Sequence, residues 1–245
     1  MLIIINSIRN FACSKGGDEM NNRDNAHYEL MKNGLLGSGI DMAKEYAEIA
    51  LDSLLNEGIL KEIPIVSTIF NLGKCGLTIK NLQFTRNYLT FLQEVRNNEK
   101  TVMELEKHVE ELNNNPKQME KEMETLLIYL EEYKSVDKIK YMANIYRAFL
   151  SSDISPIDWE ETLIFFELLD RLLPCDIEDL KKMKTYGARA TEFIDHSGLL
   201  RLSALGLLQY FNGKEEKYGH NKIGLARMTA QGKTFYSVIT AEKAV

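Results

Sequence analysis

Along most of the chain, apolar residues recur every three or four positions, the spacing of one face of an α-helix. From Ser38, a good N-cap, Ile40, Ala43, Ala47, Ala50, Leu51 and Leu54 predict a helix that Gly58 can end in the left-handed conformation. Pro64 then takes a first helical position. The run from Ile63 to Ile79 is nearly continuous apolar sequence, broken by Asn71, Gly73, Lys74 and Gly76, and predicts a buried helix. Leu82, Leu89, Leu92 and Val95 carry a further helix, and Val102, Leu105, Val109 and Leu112 another with Glu and Lys on its outer face. Asn113-Asn114-Asn115-Pro116 breaks the pattern, which Met119, Met123, Leu126, Leu127 and Leu130 resume. Ile139, Met142, Tyr146 and Phe149 follow. Ser155-Pro156 with Trp159, Leu163, Phe166 and Leu173 predicts a capped helix that stops at Pro174. Residues 38–173 therefore read as an all-helical bundle, preceded by a flexible tail over 1–37.

After Pro174 the pattern changes. Ile177, Leu180 and Met183 predict a short helix, and Ser197 with Leu199, Leu202 and Leu205 another that Gly206 ends. Leu207 to Phe211 predicts a strand, Asn212 to Asn221 is rich in turn residues, and Ile223 to Met228 predicts a second strand. Thr229 then opens a last helix. The expected fold class is mainly α, a multi-helix bundle followed by a small α+β module over 175–245. Within that module, Leu205-Gly206-Leu207-Leu208 and Met228-Thr229-Ala230-Gln231-Gly232-Lys233-Thr234-Phe235 resemble the "LGLI … LTxxGxxF" signature at the end of bacterial winged-helix modules. The resemblance covers roughly the last quarter of the chain and implies a helix-turn-helix with a β-hairpin wing. It departs from DNA-reading members in one respect: the helix before the hairpin, Ser197 to Leu205, offers chiefly Arg201 and Ser203 to a groove. The stretch from Leu51 to Val66, with Glu62-Ile63-Pro64-Ile65-Val66, also resembles a recurring opening in uncharacterised bacterial helical proteins. There an Ile-Pro pair leads into a Gly-containing apolar helix, a likeness that implies bacterial origin and says nothing of activity.

Composition is that of an ordinary globular chain, with 44% hydrophobic and 27% charged residues. A net charge of −6 argues against a surface that coats nucleic acid or anionic membrane throughout. The charge is uneven, however: residues 1–170 carry 18 basic and 28 acidic side chains, and residues 171–245 carry 12 and 8. Cys13, Cys75 and Cys175 are odd in number and far apart, which fits reduced thiols in a cytoplasmic protein rather than a disulfide framework or a metal knuckle. The first residues, Met1-Leu2-Ile3-Ile4-Ile5, lack the basic flank of an export signal. Lys15-Gly16-Gly17-Asp18-Glu19-Met20 back-translates to a purine-rich AGGAGG just before a Met codon, so translation is expected to begin at Met20, with 1–19 not native.

No catalytic constellation emerges. His27, His108, His196 and His220 are scattered, and there is no HExxH pair or GxSxG elbow. Glu104 and His108 share a helix face at i, i+4, which reads as a solvated pair before it reads as a metal site. Asp195-His196-Ser197 is no triad, since triad members meet in space. Gly73-Lys74 lacks the ending of a phosphate loop. The expectation is no enzyme, no cofactor, no metal and no small-molecule substrate.

Three functions of different classes remain. The first is a non-enzymatic interaction protein whose winged-helix-like end docks a protein partner or mediates self-association. The second is a DNA-binding regulator using Arg201, Lys214, Lys217, Lys222 and Arg227 as phosphate or partner contacts. The third is a membrane-active defence or toxin-like effector, cytoplasmic or peripheral to the inner membrane, that exposes the 63–79 helix when triggered. There Pro64 starts the helix, and Gly73 and Gly76 supply the small residues that let apolar helices pack closely in lipid. The segment is shorter than a span and carries Asn71 and Lys74, which favours a core helix.

Overall fold

The computed structural model describes residues 34–35, 79–97, 99–151, 157–211 and 225–241. The tail expected over 1–37 falls outside these except for 34 and 35. So do the helix expected over 38–58 and, apart from Ile79, the helix expected over 63–79, and with them Pro64, Gly73 and Gly76. Among the described residues the chain is mostly helical with one two-stranded sheet. In chain order the elements are α1 (Ile79–Val95), α2 (Glu99–Asn113), α3 (Pro116–Glu132), α4 (Val136–Leu150), α5 (Trp159–Arg171), α6 (Pro174–Tyr186), a 3-10 helix (Gly187–Glu192), α7 (His196–Ala204), β1 (Leu208–Phe211), β2 (Leu225–Met228) and α8 (Ala230–Ile239).

The chain divides into two compact units, one of residues 1–86 and 115–131, the other of 87–114 and 132–245. In the first, α3 begins at Pro116, where the missing N–H of proline costs nothing and the Asn run ends the preceding helix. Its Met119, Met123, Leu126, Leu127 and Leu130 are all buried, the stripe that the sequence predicts.

In the second unit, α2 buries Thr101, Leu105, Val109 and Leu112, and α4 buries Ile139, Met142, Ile145 and Tyr146. The Phe91 ring of α1 meets Tyr146 at 5.7 Å, in the tilted arrangement aromatic pairs favour. Tyr133, between α3 and α4, is a core residue that periodicity does not reveal. Its hydroxyl donates to the Phe166 carbonyl at 3.0 Å, and its own carbonyl accepts from Asn87 Nδ2 at 2.7 Å. A buried phenol satisfied in this way fixes α5 against the chain segment entering α4.

Two details at α5 differ from the sequence expectation. The cap is Asp158, whose carboxylate accepts the Glu161 N–H at 2.8 Å, while Ser155 and Pro156 lie outside the described residues. A carboxylate at that position satisfies an orphan amide and faces the positive end of the helix. At the other end, α5 stops at Arg171 and the next two residues are extended, so Leu172 and Leu173 point to opposite sides. Leu172 takes the core position and Leu173 is exposed.

The last quarter runs α6, 3-10 helix, α7, hairpin, α8. Ile177, Leu180 and Met183 form the buried face of α6, and Leu199 and Leu202 that of α7. Gly206, at φ +74, ends α7 in a conformation that costs glycine little. The strands pair antiparallel with Leu208 opposite Met228 and Phe211 opposite Leu225. Thr229 caps α8, its hydroxyl accepting the Gly232 N–H at 2.9 Å. This segment packs on the helices before it: Phe235 of α8 meets Phe165 of α5 edge-on at 5.3 Å, and Asn144 Nδ2 of α4 donates to the Ile239 carbonyl at 2.7 Å. The boundary expected at 174 thus falls inside the second unit.

Candidate functional site

The surface built by α6, the 3-10 helix, α7 and the hairpin holds both described members of the basic set predicted from sequence. Arg201 is on α7, but its guanidinium turns toward α6. Its Nη2 and Nε donate to Asp176 Oδ1 at 2.8 and 3.1 Å. Asp176 is fully buried and its Oδ2 also accepts the Leu173 N–H at 2.9 Å, capping the start of α6. The Asp176 hydrogen bonds hold Arg201 firmly charged, above its ordinary pKa. Arg201 further donates to Ser197 Oγ at 3.2 Å and reaches Cys175 Sγ at 3.7 Å.

Asp195 and Ser197, which sit beside His196 in the sequence, form the cap of α7. The Asp195 carboxylate accepts from the Ser197 hydroxyl and from its N–H, and these hydrogen bonds hold it below its usual carboxylate range. A second buried carboxylate of α6, Asp179, binds Lys182 at 2.7 Å. A Cβ placed on Gly198 would come within 2.7 Å of Asp179 Oδ2, so α7 lies almost against that carboxylate. Two buried aspartates of α6 therefore organise the helix corner, a role to which sequence periodicity is blind. The signal that marks one of them is Pro174 followed two residues later by an acid, the pattern of a helix start.

With Arg201 tied to Asp176 of α6, the exposed residues of α7 are His196, Ser197, Leu200 and Ala204. Leu200 is 49% exposed at their centre, His196 lies one turn before it and Ala204 one turn after. The His196 ring stands edge-on to Tyr210 of β1 at 5.9 Å. At the end of α6, Tyr186 and Phe193 are 57% and 63% exposed, with their rings 6.1 Å apart. On the hairpin, Arg227 of β2 sits opposite Gln209 of β1 and donates to its side-chain carbonyl through Nε and Nη2 at 3.1 and 2.9 Å. Lys214, Lys217 and Lys222 lie outside the described residues.

The other charged locus is on α1 and α4. Burial lowers the pKa of Arg96 and of Arg147, with Glu106 acting electrostatically on the first and Glu94 on the second. Arg96 Nε and Nη1 and Arg147 Nε are buried and donate to no acceptor among the described residues. The Glu104 and His108 pair takes a different form: His108 packs edge-on to Phe149 at 5.0 Å, with Glu111 Oε2 at 4.0 Å from its Nδ1. Among the described residues no group of three acidic, His or Cys side chains is placed to hold a metal, and no helix is long and apolar enough to cross a membrane. No protein-family model, curated protein sequence or solved structure matches the chain.

Proposed function

We propose that the chain is a non-enzymatic interaction protein, and that residues 175–245 form a winged-helix-like module that docks a protein, either a separate partner or another copy. The module reading is supported by element order: two helices joined through a 3-10 turn, then an antiparallel hairpin, then a closing helix. In that comparison α7 holds the place of the recognition helix and the paired strands β1 and β2 that of the hairpin.

One observation carries the choice of protein over DNA. The only arginine or lysine of α7 is bound to a buried aspartate, and the centre of its outward side is Leu200. Major-groove reading needs side chains that donate or accept at base edges, together with cations on phosphates. An exposed leucine flanked by His196 and Ala204 instead fits an apolar protein surface, where desolvation supplies the affinity.

The reading is tested by placing a photoreactive amino acid at position 200 and irradiating cells that make the full chain. We expect protein adducts at 200 and none at a control position on α3 such as Lys117, which is also exposed. Nucleic-acid adducts, or no adducts at 200, would contradict it.

A further inference from the structure

We propose, resting on the docking reading above, that the chain associates with a second copy of itself, the aromatic corner at the end of α6 in one copy seating on the outer stripe of α2 in the other. The corner is Tyr186 and Phe193, both exposed and in ring contact. The segment that carries them is basic: residues 181–193 hold the exposed Lys181, Lys184 and Arg189 against one acid, Glu192, while Lys182 is already paired with Asp179. Two large rings in water within a cationic frame call for an occupant that is apolar at its centre and acidic around it.

The same chain carries such a surface. On α2, Met103 is 59% exposed, and Glu99, Glu106 and Glu110 are exposed with it. Positions 99, 103, 106 and 110 follow helical spacing, so the four share one side of α2, away from buried Leu105, Val109 and Leu112. Lys100 and Lys107 lie about a quarter-turn round the helix from that stripe. A methionine is well suited to the aromatic pair, because its thioether adapts to irregular surfaces and is attracted to ring edges. The three glutamates then face Lys181, Lys184 and Arg189. Both surfaces are exposed within one copy, so they can meet only between copies. The contact is small and its charges are exposed, which places it among weak, salt-sensitive associations.

Sedimentation velocity of the full chain tests this. At low salt we expect association that grows with concentration up to ~100 µM, the range of a weak interface, and that is lost in ~0.5 M salt. Phe193→Asp, and separately the pair Glu106→Lys with Glu110→Lys, should each lower the association constant by at least ~10-fold. Both change only exposed positions, and unchanged circular dichroism establishes that the variants fold. An equimolar mixture of the two should associate again, since one retains the stripe and the other the corner. A wild type that stays monomeric at low salt, an oligomer indifferent to either variant, or a mixture that does not associate would overturn the proposal. Failure here is distinct from failure of the docking reading: a monomeric chain that still gives protein adducts at position 200 loses only the self-association, whereas nucleic-acid adducts there remove the docking reading itself.

Discussion

Asp176→Ala is expected to destabilise the second unit by about 2–4 kcal/mol, measured as a lowered midpoint in urea at unchanged slope. The carboxylate is fully buried, and three donors point at it: two guanidinium nitrogens of Arg201 and the Leu173 amide. Removing it leaves the amide unsatisfied at the start of α6 and takes the counter-charge from Arg201. Breaking a fully buried ion pair costs about 3–5 kcal/mol, but Arg201 is partly exposed and can turn to water, which lowers the expectation. Asp176→Asn keeps the shape and one acceptor, and should cost about 1–2 kcal/mol. The alanine result also bears on function, because without Asp176 the α6–α7 corner loses the tie that holds Arg201 against α6. A loss under about 1 kcal/mol would mean that the pair does not hold the corner.

Gly232→Ala should cost about 3 kcal/mol or more, or prevent the hairpin and α8 from docking altogether. A Cβ at this position would stand 2.1 Å from the Leu207 carbonyl oxygen and 2.9 Å from its carbon. Both atoms are backbone, so no side chain can swing aside. The same carbonyl accepts the Thr229 N–H at 3.1 Å, so displacing it also disturbs the cap of α8. The sign of the effect is informative: in an open helix, Gly→Ala stabilises by about 0.5–1 kcal/mol. Chemical denaturation followed by circular dichroism separates the two, and a stabilised variant would show that α8 does not cross the start of the hairpin so closely.

The sequence was readable where a single residue sets the local geometry. Gly232 and Thr229 belong to the motif that resembles the winged-helix signature, and each has a physical task, one allowing a close backbone approach and the other capping α8. Gly206 has a positive φ where a helix must stop, and the Asn run before Pro116 separates α2 from α3. The apolar stripes of α2 and α3 are legible for a related reason, since periodicity encodes which side of a helix is buried.

Long-range pairing was not readable. Arg201 reads from the sequence as a surface cation because nothing local marks the aspartate 25 positions earlier that binds it. Tyr133 lies between helices, outside any period, and its burial follows from hydrogen bonds to segments 33 and 46 positions away. Leu173 matched the helical period by number, but the chain had already left the helix at Leu172, and an extended backbone sends alternate residues to opposite sides. The proposed docking face rests on the same facts: with Arg201 tied to Asp176, Leu200 stands at the centre of the exposed positions of α7.

Whether this end of the chain meets protein or duplex DNA is decided most directly by fluorescence anisotropy. A labelled duplex is titrated with the full chain at ~20 mM and ~200 mM salt, where phosphate contacts must weaken with a log–log slope of about −0.9 per contact. With Arg201 held by Asp176 and Leu200 outward, we expect no saturable binding below ~10 µM even at the lower salt. Tight, saturable binding at low salt that falls steeply at the higher salt and weakens in Arg227→Gln would contradict the protein-docking account.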